Sequence, residues 1–499
     1  MFNSNDQQIM KYSSAKILLP FSLLLLFAFI SCGKKFLNEP PRGATINDLL
    51  NNPQDGAQRI IGAVYNRLYD WETHSFSWIG ISSITSDDAD KGSTAGDSGG
   101  DKIELDGWLI SPTNISFNQV WEGNFAGIGR ACYAIKFINE MTLPPGDKER
   151  YIGEAKFLRA YYYWNLIRVF GGVPKIDRVL TSQADIETAS VRASAAEIYA
   201  FIETDLTEAA AKLPSVIPVN ERGRASKPAA QALLAKVYLY QNKWAQSKTM
   251  CDAIIGSNQF SLLPNYAMIW REAGEFSSES IWEVNAIADN PPKGIQQYTE
   301  VQGMRGSGAG DFGWGFNVPS QNLVNAYEPG DLRKAATILV SGSVLWDGFV
   351  TSNTLPNPYY NYKAYVSRTA ESYFDREQSN KNLRVCRYGE ILLIKAEVEN
   401  ELNDTTASKI ALNQIRQRAG LAPVNAISKS IMRDKVYKER RVEMAFEHDR
   451  MFDLRRTGRA ASVLQALGKP YISPMHDLFP IPQRQIDLSG NRIIQNPIY

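Results

Sequence analysis

The feature of this sequence that most constrains its fold is one type of helical segment that occurs at three places. The three segments span residues 153–172, 224–244 and 387–402. In each of them apolar residues recur at i, i+3 and i+4, which is the spacing of one helix face. The stretch LLAKVYL in the second segment also matches LLIKAEV in the third in residue type. The pattern therefore predicts three amphipathic helices of one repeated kind.

Capping residues support these helices, and a repeated dipeptide indicates that two of them are related. Ser226 stands where it can cap the second helix, and a proline suits the first turn that follows it. Gly153-Glu154 in the first segment aligns with Gly389-Glu390 in the third. The three segments are therefore predicted to be copies of one structural unit.

Each predicted helix has a second amphipathic segment close to it in the sequence. These partner segments span residues 120–141, 195–213, 244–255 and 406–419. Paired helices with small and aromatic residues at facing positions are typical of tetratricopeptide units, which have about 34 residues. The copies are irregularly spaced, so long insertions must separate them. The predicted fold is all-α, with tetratricopeptide-like helix pairs as a scaffold and loop-rich insertions that carry the binding face.

The three predicted insertions differ in composition from the helices. Residues 71–121 are rich in Ser, Gly, Asp and Trp, whereas residues 286–346 and 351–382 are rich in Gly, Asn, Pro and aromatic residues. Loops of this length are uncommon unless they have a function. We therefore expect the binding face on these insertions, held in place by the scaffold.

The N-terminus has the pattern of a secretory signal. Lys11 and Lys16 precede an apolar run at residues 17–30, which is short for a membrane span of about 20 residues. Ser31 and Cys32 follow at once, as in a bacterial lipobox, where the cysteine is lipidated. The prediction is a lipoprotein, and an uncleaved anchor helix is the alternative.

The remaining chain indicates one soluble body. No long apolar run occurs after the lipobox, and the formal net charge of +1 gives no indication of nucleic-acid binding. We predict a signal peptide over 1–31, a lipidated N-terminus and tether over 32–57 and a single domain over 58–499. The other cysteines are widely spaced and are predicted to be buried free thiols: Cys132, Cys251 and Cys386.

The sequence contains no catalytic signature that we could identify. HExxH, GxSxG and phosphate-binding loops do not occur. The acidic residues 86–106, taken as a calcium loop that begins at Asp87, would put Ala89 and Lys91 at ligand positions. We therefore predict that the protein is not an enzyme and needs no cofactor and no metal.

His448 is a histidine that we considered as a catalytic group. It lies in residues 438–458, where acidic and basic side chains alternate along a helical pattern. No partner signature accompanies this histidine. The pattern therefore predicts a salt-bridged helix packed on the core rather than a catalytic group.

The insertions contain many aromatic residues that could bind a ligand. An indole offers a flat apolar face with a negative quadrupole, which suits the C–H face of a sugar ring. The tryptophans in irregular segments are Trp71, Trp78, Trp108, Trp314 and Trp346. Polar residues near them that could bind hydroxyl groups are Gln297, Arg305, Asp311 and Asn317. The other tryptophans follow helical or strand-like patterns and are predicted to lie in the core: Trp121, Trp164, Trp244 and Trp282.

Several longer motifs occur together along the chain. They are CGKKFLNEPP, VWEGNFAGIGRA, EAKFLRAYYYWNLIRVFGGVP, LRVCRYGEILLIKAEVENELND, ERRVEMAFEHDRMFDLRRTG and LFPIPQRQIDLSGNRIIQNPIY. This set resembles the signature segments of the SusD/RagB family of outer-membrane nutrient-binding lipoproteins. The resemblance runs over essentially the whole chain, and it implies tetratricopeptide-like helix pairs under a loop-rich face.

The resemblance also implies a function and a partner. Proteins of this family capture oligosaccharides, act as a lid on a SusC-like TonB-dependent barrel and pass the ligand into it without breaking a bond. The implied location is the cell outer membrane, lipid-anchored and facing the exterior, although Gly33, Lys34 and Lys35 stand where relatives often have acidic residues. An oligopeptide ligand of the RagB type is the first alternative. A lipid-anchored glycoside hydrolase and a structural scaffold are more distant ones.

Two segments resemble the parts of the family that flank the binding face. They are SDDADKG at residues 86–92 and GDFGWGFNVPSQNLVNAYEPGDLR at residues 310–333. The resemblance carries over a location and no assigned roles. From it we predict that the ligand-binding residues are Trp78, Asp87, Asp88, Arg305, Asp311 and Trp314.

Overall fold

The computed structural model describes residues 52–94, 96–97, 99–288, 295, 297–306, 312–375, 378–425 and 428–499. The signal segment, Cys32, most of the tether and Asp311 therefore lie outside the described residues. Residues Ala57–Tyr499 form one compact unit, and residues 52–56 are the described part of the preceding unit Met1–Gly56. No helix in the described part of the chain has both the length and the apolar character that a membrane span requires.

Helices account for most of the regular structure. They are α1 (Pro53–Asn66), α2 (Trp71–His74), α3 (Phe76–Ile79), α4 (Gly100–Asp106), α5 (Ile115–Glu140), α6 (Pro145–Phe170), α7 (Gln183–Ala189), α8 (Ala195–Lys212), α9 (Lys227–Tyr240), α10 (Trp244–Gly256), α11 (Tyr298–Gln302), α12 (Gln321–Ala326), α13 (Lys334–Thr337), α14 (Tyr388–Glu401), α15 (Thr405–Arg418), α16 (Lys429–Glu443), α17 (Arg450–Arg456), α18 (Ala460–Ala466) and α19 (Gln483–Leu488). A π-helical turn, Gly80–Ile84, continues α3.

Eight of these helices form the scaffold. Helices α5, α6, α8, α9, α10, α14, α15 and α16 pack in that order, each against the next. The Ser247 hydroxyl on α10 donates to the Ala235 carbonyl on α9 at 2.9 Å. The Ser408 hydroxyl on α15 makes the same contact with the Ala396 carbonyl on α14 at 2.5 Å. One helix-pair geometry therefore occurs twice, and the predicted fold of repeated helix pairs is confirmed.

The Gly-Glu pairs that recur in the sequence have the same role in both copies. Glu154 and Glu390 are almost fully buried. Glu154 accepts a hydrogen bond from Arg224 at 2.9 Å, and Glu390 accepts one from Arg440 at 3.0 Å. Because a buried carboxylate is stable only when it is paired, these contacts tie each central helix to a neighbouring segment. The predicted caps also form, since the Ser226 side chain accepts from a backbone N–H in the first turn of α9.

Short antiparallel strand pairs, which the predicted scaffold of helix pairs did not contain, connect distant parts of the chain in and beside the insertions. The strands are β1 (Ala89–Gly92), β2 (Ser280–Val284), β3 (Phe316–Pro319), β4 (Ile338–Val340), β5 (Tyr359–Asn361), β6 (Tyr373–Asp375), β7 (Gln378–Ser379) and β8 (Leu383–Arg387). They pair as β1–β3, β2–β8, β4–β5 and β6–β7. The pair β1–β3 sets Gly92 opposite Phe316 and so brings the first two insertions together.

The charged segment 438–458 packs on the core as predicted, but it is not one helix. Between the end of α16 and the start of α17 the backbone takes positive φ angles of 64° at Phe446 and 67° at His448. Arg440 on α16 donates to Asp453 on α17 at 2.7 Å across this break. The prediction of one salt-bridged helix was therefore wrong for this segment, because the left-handed backbone at Phe446 and His448 interrupts it. The three predicted free cysteines are buried as expected.

The buried histidines predict how stability changes with pH. Burial lowers the pKa of His74 and of His448 from 6.5 to about 4. Both rings are neutral in the folded protein, whereas the unfolded chain takes up a proton on each below pH 6.5. We therefore expect the free energy of unfolding to fall by roughly 2 to 3 kcal/mol per histidine between pH 6.5 and 4.5.

Urea unfolding of the wild type and of His74→Gln at these two pH values tests this expectation. Contributions from groups that do not interact with His74 cancel in the comparison, and His74 also lowers the pKa of His448, so the substitution reduces the pH dependence of both sites. The variant should lose less stability on acidification than the wild type. Equal losses in both proteins would contradict the expectation.

Candidate ligand-binding site

An open cleft of about 500 Å³ lies where the first two insertions meet. The β1–β3 pair holds its two walls together, and the start of α5 closes one side. The volume lies in the usual range of small-ligand sites. The cleft is lined by Trp71, Phe76, Asp97, Gly99, Asp101, Lys102, Ile115, Gln119, Arg305, Gly313, Trp314 and Phe316.

Aromatic rings form one wall of the cleft. The ring centroids of Trp71 and Trp314 are 6.0 Å apart, with an angle of 53° between the ring planes. Phe76 contacts both edge-on at 6.0 and 6.1 Å, and Phe316 packs behind it at 4.5 Å. The two indoles are half-buried, so they keep exposed surface toward the cleft. This arrangement offers apolar faces for stacking against a ring-shaped ligand.

An ion pair between Asp97 and Arg305 lies on the rim beside Trp314. Oδ2 of Asp97 also accepts hydrogen bonds from the Thr94 backbone N–H and hydroxyl, both at 2.9 Å, and from the Ser93 hydroxyl. The hydrogen bonds from Ser93 and Arg305 hold the pKa of Asp97 well below its usual range. Asp97 is therefore an ionised acceptor over the whole physiological pH range.

A second ion pair lies at the floor of the cleft. The Lys102 ammonium pairs with Asp101 and donates to the Ser116 hydroxyl at 2.9 Å. The same ammonium lies 4.0 Å from the centroid of the Phe76 ring, a cation–π contact. Burial lowers the pKa of Lys102, and the Asp101 carboxylate opposes that shift. The pair fixes the underside of the aromatic wall.

The third insertion supports the rim from behind. The Asn357 amide donates to the Ser93 carbonyl at 3.2 Å, and the Tyr360 hydroxyl donates to the Arg305 carbonyl at 3.3 Å. The Ser93 N–H donates to the carbonyl of Gly315 at 2.6 Å. A Cβ on Gly92 would lie only 2.5 Å from that same carbonyl, so this position requires glycine. All three insertions therefore contribute to the site.

Asn357 is a positioning residue, because it contacts Ser93 and does not line the cleft. The substitution Asn357→Ala removes the amide hydrogen bonds to Ser93 and to the Tyr360 hydroxyl. We expect it to weaken ligand binding about fivefold, since the bond to Ser93, of about 1 kcal/mol, supports the rim directly. Thr354→Ala is the matched control, because its exposed hydroxyl on the same loop contacts only Ser352. Calorimetric titration measures both variants. Equal affinities for Asn357→Ala and the wild type would remove Asn357 from the support of the site.

Two of the predicted ligand-binding residues lie in the cleft, and three do not. Arg305 and Trp314 line it. Trp78 is 3% exposed and packs on Phe452, so it has no free face for a ligand. Asp87 and Asp88 are likewise buried. Because these three side chains are enclosed by the scaffold, the predictions that placed them on the binding face are not carried further.

Asp87 and Asp88 have a different role, which their ion pairs define. Both oxygens of Asp87 accept from Arg450 on α17, at 2.7 and 2.8 Å. Asp88 accepts from Arg441 on α16 at 2.7 Å. These contacts anchor the start of β1, and β1 leads directly into the rim of the cleft. The two aspartates therefore hold the binding loop to the scaffold.

Other residues that sequence reasoning considered lie elsewhere. Trp108 and Asn317 are buried, and Gln297 does not line the cleft. Trp346 is 42% exposed, but Arg271 covers its ring at 4.7 Å and it lies outside the cleft. The tryptophans predicted for the core are buried at Trp121, Trp164 and Trp282 and half-buried at Trp244.

Most of the cleft residues were not predicted. Trp71 was among the aromatic candidates, but the acidic residues Asp97 and Asp101 had no signal beyond the composition of their loop. These residues line the cleft because of the β1–β3 pairing, which joins positions more than two hundred residues apart in the sequence. A search for tryptophan and acidic residues on either side of a long-range strand pair could have found them.

No histidine is among the described residues that line this cleft. His448 is buried, with Nε2 2.8 Å from the Tyr298 hydroxyl and Nδ1 3.2 Å from the Ser82 hydroxyl. In the described part of the chain, no three His, Cys, Asp or Glu side chains are grouped so that they could hold a metal ion. The chemistry on offer is stacking and hydrogen bonding.

The chain matches two family models. Residues 349–499 match the model of the SusD family. Residues 57–239 match a SusD-like model described as starch-binding and associating with the outer membrane. The chain is 27% identical over 483 residues to the SusD-like protein P38 of Formosa agariphila, which covers 90% of this chain and 92% of that protein.

Solved structures with the same fold include glycan-binding proteins. A laminarin-binding SusD-like protein superposes with a TM-score of 0.75 at 27% identity, over 89% of this chain and 99% of that one. Surface glycan-binding protein A from Bacteroides thetaiotaomicron, in complex with laminarihexaose, superposes with a TM-score of 0.76 at 26% identity. The match covers 89% of this chain and 99% of that one.

Proposed function

Because this chain belongs to the SusD family, we propose that it captures oligosaccharides at the outer membrane and delivers them to a SusC-like TonB-dependent transporter. The protein is not an enzyme in this proposal. It binds the glycan in the cleft, covers the transporter as a lid and releases the ligand inward. A lipid on Cys32 anchors it at the exterior face of the outer membrane.

The composition of the cleft is the main support for this proposal. Trp71 and Trp314 present half-buried indoles on one wall, and Asp97, Arg305 and Gln119 lie around them. A sugar ring has apolar C–H faces and a rim of hydroxyl groups, so it can stack on the indoles and hydrogen-bond to the polar side chains. The named ligands of the two structural neighbours, laminarin and laminarihexaose, are consistent with this class.

A glycoside hydrolase is the main enzymatic alternative, since two carboxylates line the cleft. Such an enzyme needs one carboxylic acid with a raised pKa to protonate the leaving group. The pKa of Asp97 is instead lowered by its hydrogen bonds from Ser93 and Arg305. Asp101 is held by Lys102 and accepts from the Ser116 hydroxyl at 2.7 Å. These contacts favour binding over hydrolysis.

Calorimetric titration of residues 33–499 tests the proposal. The probes are laminarihexaose, maltohexaose, cellohexaose and a set of oligopeptides of similar length. We expect at least one hexaose to bind and to remain intact. Binding of peptides alone would support the RagB-type alternative. Release of shorter sugars during the titration would contradict the non-enzymatic role.

Fractionation of cells that produce the full chain tests the anchor. Each buried CH₂ of an acyl chain adds about 0.8 kcal/mol of membrane affinity, so a multiply acylated cysteine holds the protein firmly. Cys32→Ala should therefore move the protein from the outer-membrane fraction to the soluble fraction. Retention of the variant in the membrane would favour an uncleaved anchor helix.

A further inference from the structure

We propose that the cleft selects uncharged oligosaccharides and rejects uronate-containing or sulfated ones, an inference that rests on the proposed function. Four charged side chains are among the described residues that line the cleft: Asp97, Asp101, Lys102 and Arg305. Two carboxylates and two cations leave no net charge. What decides selectivity is which of these groups is still available to a ligand.

Arg305 is already neutralised by the protein. Its guanidinium pairs with Asp97 and donates to the Ser93 hydroxyl at 3.1 Å. Asp97 is itself fixed by Ser93 and Thr94, so the carboxylate cannot move aside without breaking several hydrogen bonds. An anionic sugar would have to compete with this preformed partner. Arg305 is therefore a hydrogen-bond donor at the rim rather than a free positive charge.

Lys102 is also neutralised, and it is not accessible. Only 2% of the residue is exposed. Its ammonium pairs with Asp101, donates to Ser116 and lies under the Phe76 ring. Lys91 lies behind Phe316, 5.1 Å from the ring centroid, and is directed to backbone carbonyls. Among the described residues that line the cleft, no cation is left to bind an anion.

The carboxylates keep one free acceptor each. Every hydrogen bond and ion pair that other described residues make to the Asp97 and Asp101 side chains ends on Oδ2. Oδ1 of each therefore remains available to accept from a hydroxyl group. A neutral sugar offers such hydroxyls, whereas a uronate or sulfate group has no proton to donate to these oxygens and no unpaired cation to bind. A charged group that is removed from water without a partner is an effective source of specificity against its ligand.

Titration with matched neutral and anionic oligosaccharides tests the selectivity of residues 33–499. The neutral probes are laminarihexaose, maltohexaose and cellohexaose, and the anionic probes are hexagalacturonate and hexamannuronate. We expect the best neutral probe to bind at least about tenfold more tightly than either uronate at low salt. Uronate binding that equals or exceeds neutral binding would overturn this inference and leave the proposed function intact. If neither set binds, the proposed function fails and the inference with it.

Two substitutions of the rim pair give opposite predictions. Asp97→Asn leaves the Arg305 charge unpaired, so the ratio of uronate to neutral affinity should rise about tenfold and should fall again in added salt. Arg305→Gln leaves Asp97 unpaired, so the same ratio should fall. Circular dichroism and urea unfolding establish that each variant is folded. An unchanged ratio in both folded variants, or a change of the same sign, would contradict the charge-based selection.

Discussion

Trp314→Ala is expected to weaken oligosaccharide binding about 10- to 100-fold, which corresponds to about 1.4 to 2.8 kcal/mol. The indole forms the wall of the cleft together with Trp71 and lies beside the Asp97–Arg305 pair. Its removal takes away a stacking face and one packing partner each from Trp71 and Phe76. Calorimetric titration with the best-binding hexaose measures the loss.

Trp346→Ala is the matched control for this prediction. Trp346 is 42% exposed and lies outside the cleft, so its removal changes an exposed indole without touching the site. Its affinity should stay within about twofold of the wild type. Trp314→Phe keeps an aromatic face and should bind between the wild type and Trp314→Ala. A loss of affinity in Trp346→Ala, with Trp314→Ala unaffected, would move the site to the surface around Trp346, at the end of the second insertion.

Arg387→Met is expected to lower the free energy of unfolding by about 3 to 5 kcal/mol. Arg387 is 1% exposed at the junction between β8 and α14. Its guanidinium donates to Glu279 at 2.9 Å, to Glu443 at 2.7 Å and to Glu447 at 2.7 Å. Methionine fills similar space but leaves three buried carboxylates with one cation fewer. Urea unfolding at pH 7 measures the change.

Lys136→Met is the control, because it removes a cation from an exposed pair on α5. Lys136 and Glu140 are 2.8 Å apart, and their side chains are 43% and 49% exposed. Its loss should cost less than about 1 kcal/mol. The loss of stability in Arg387→Lys should lie between those of the other two variants. An ammonium retains the positive charge, but it lacks the several N–H donors that a guanidinium holds in fixed directions. If Arg387→Met costs no more than Lys136→Met, the network does not stabilise the fold.

The buried ion pairs also connect the scaffold to the cleft. Asp87 and Asp88 pair with Arg450 and Arg441 just before β1, and the rim residues follow β1 directly. The binding loop is therefore attached to helices α16 and α17 at its base and to β3 along its length. A loop held at both places loses less conformational entropy when a ligand binds.

The helical scaffold was predictable because its information is local. The i, i+3, i+4 stripes, the cap at Ser226 and the repeated Gly-Glu pairs are each read within one turn or two of helix. The tryptophan-rich insertions, which were predicted to carry the binding face, could be recognised because composition is also a local property. Within them the family resemblance indicated Trp314 and Arg305, which do line the cleft.

The rest of the site was not predictable from such local patterns. The same acidic loop contains Asp87, which is buried against arginine, and Asp97, which lines the cleft. Composition alone does not distinguish these two residues. They differ in their ion pairs, because Asp87 pairs with arginines on α16 and α17 whereas Asp97 pairs with an arginine in the second insertion. Trp78 was placed on the face because its segment is irregular in sequence. It packs on Phe452 instead, since a large indole is stabilised by burial when a partner is available.

The sequence by itself determined the helix-pair scaffold, the insertions between the pairs and the expected class of ligand surface. Each of these depends on periodicity or composition over short stretches. Tertiary structure alone decided which insertion residues face the cleft, because the β1–β3 pair and the buried ion pairs join residues that are hundreds of positions apart. It also decided the charge of the cleft. Asp97 and Arg305 neutralise each other only because the folded chain brings them together.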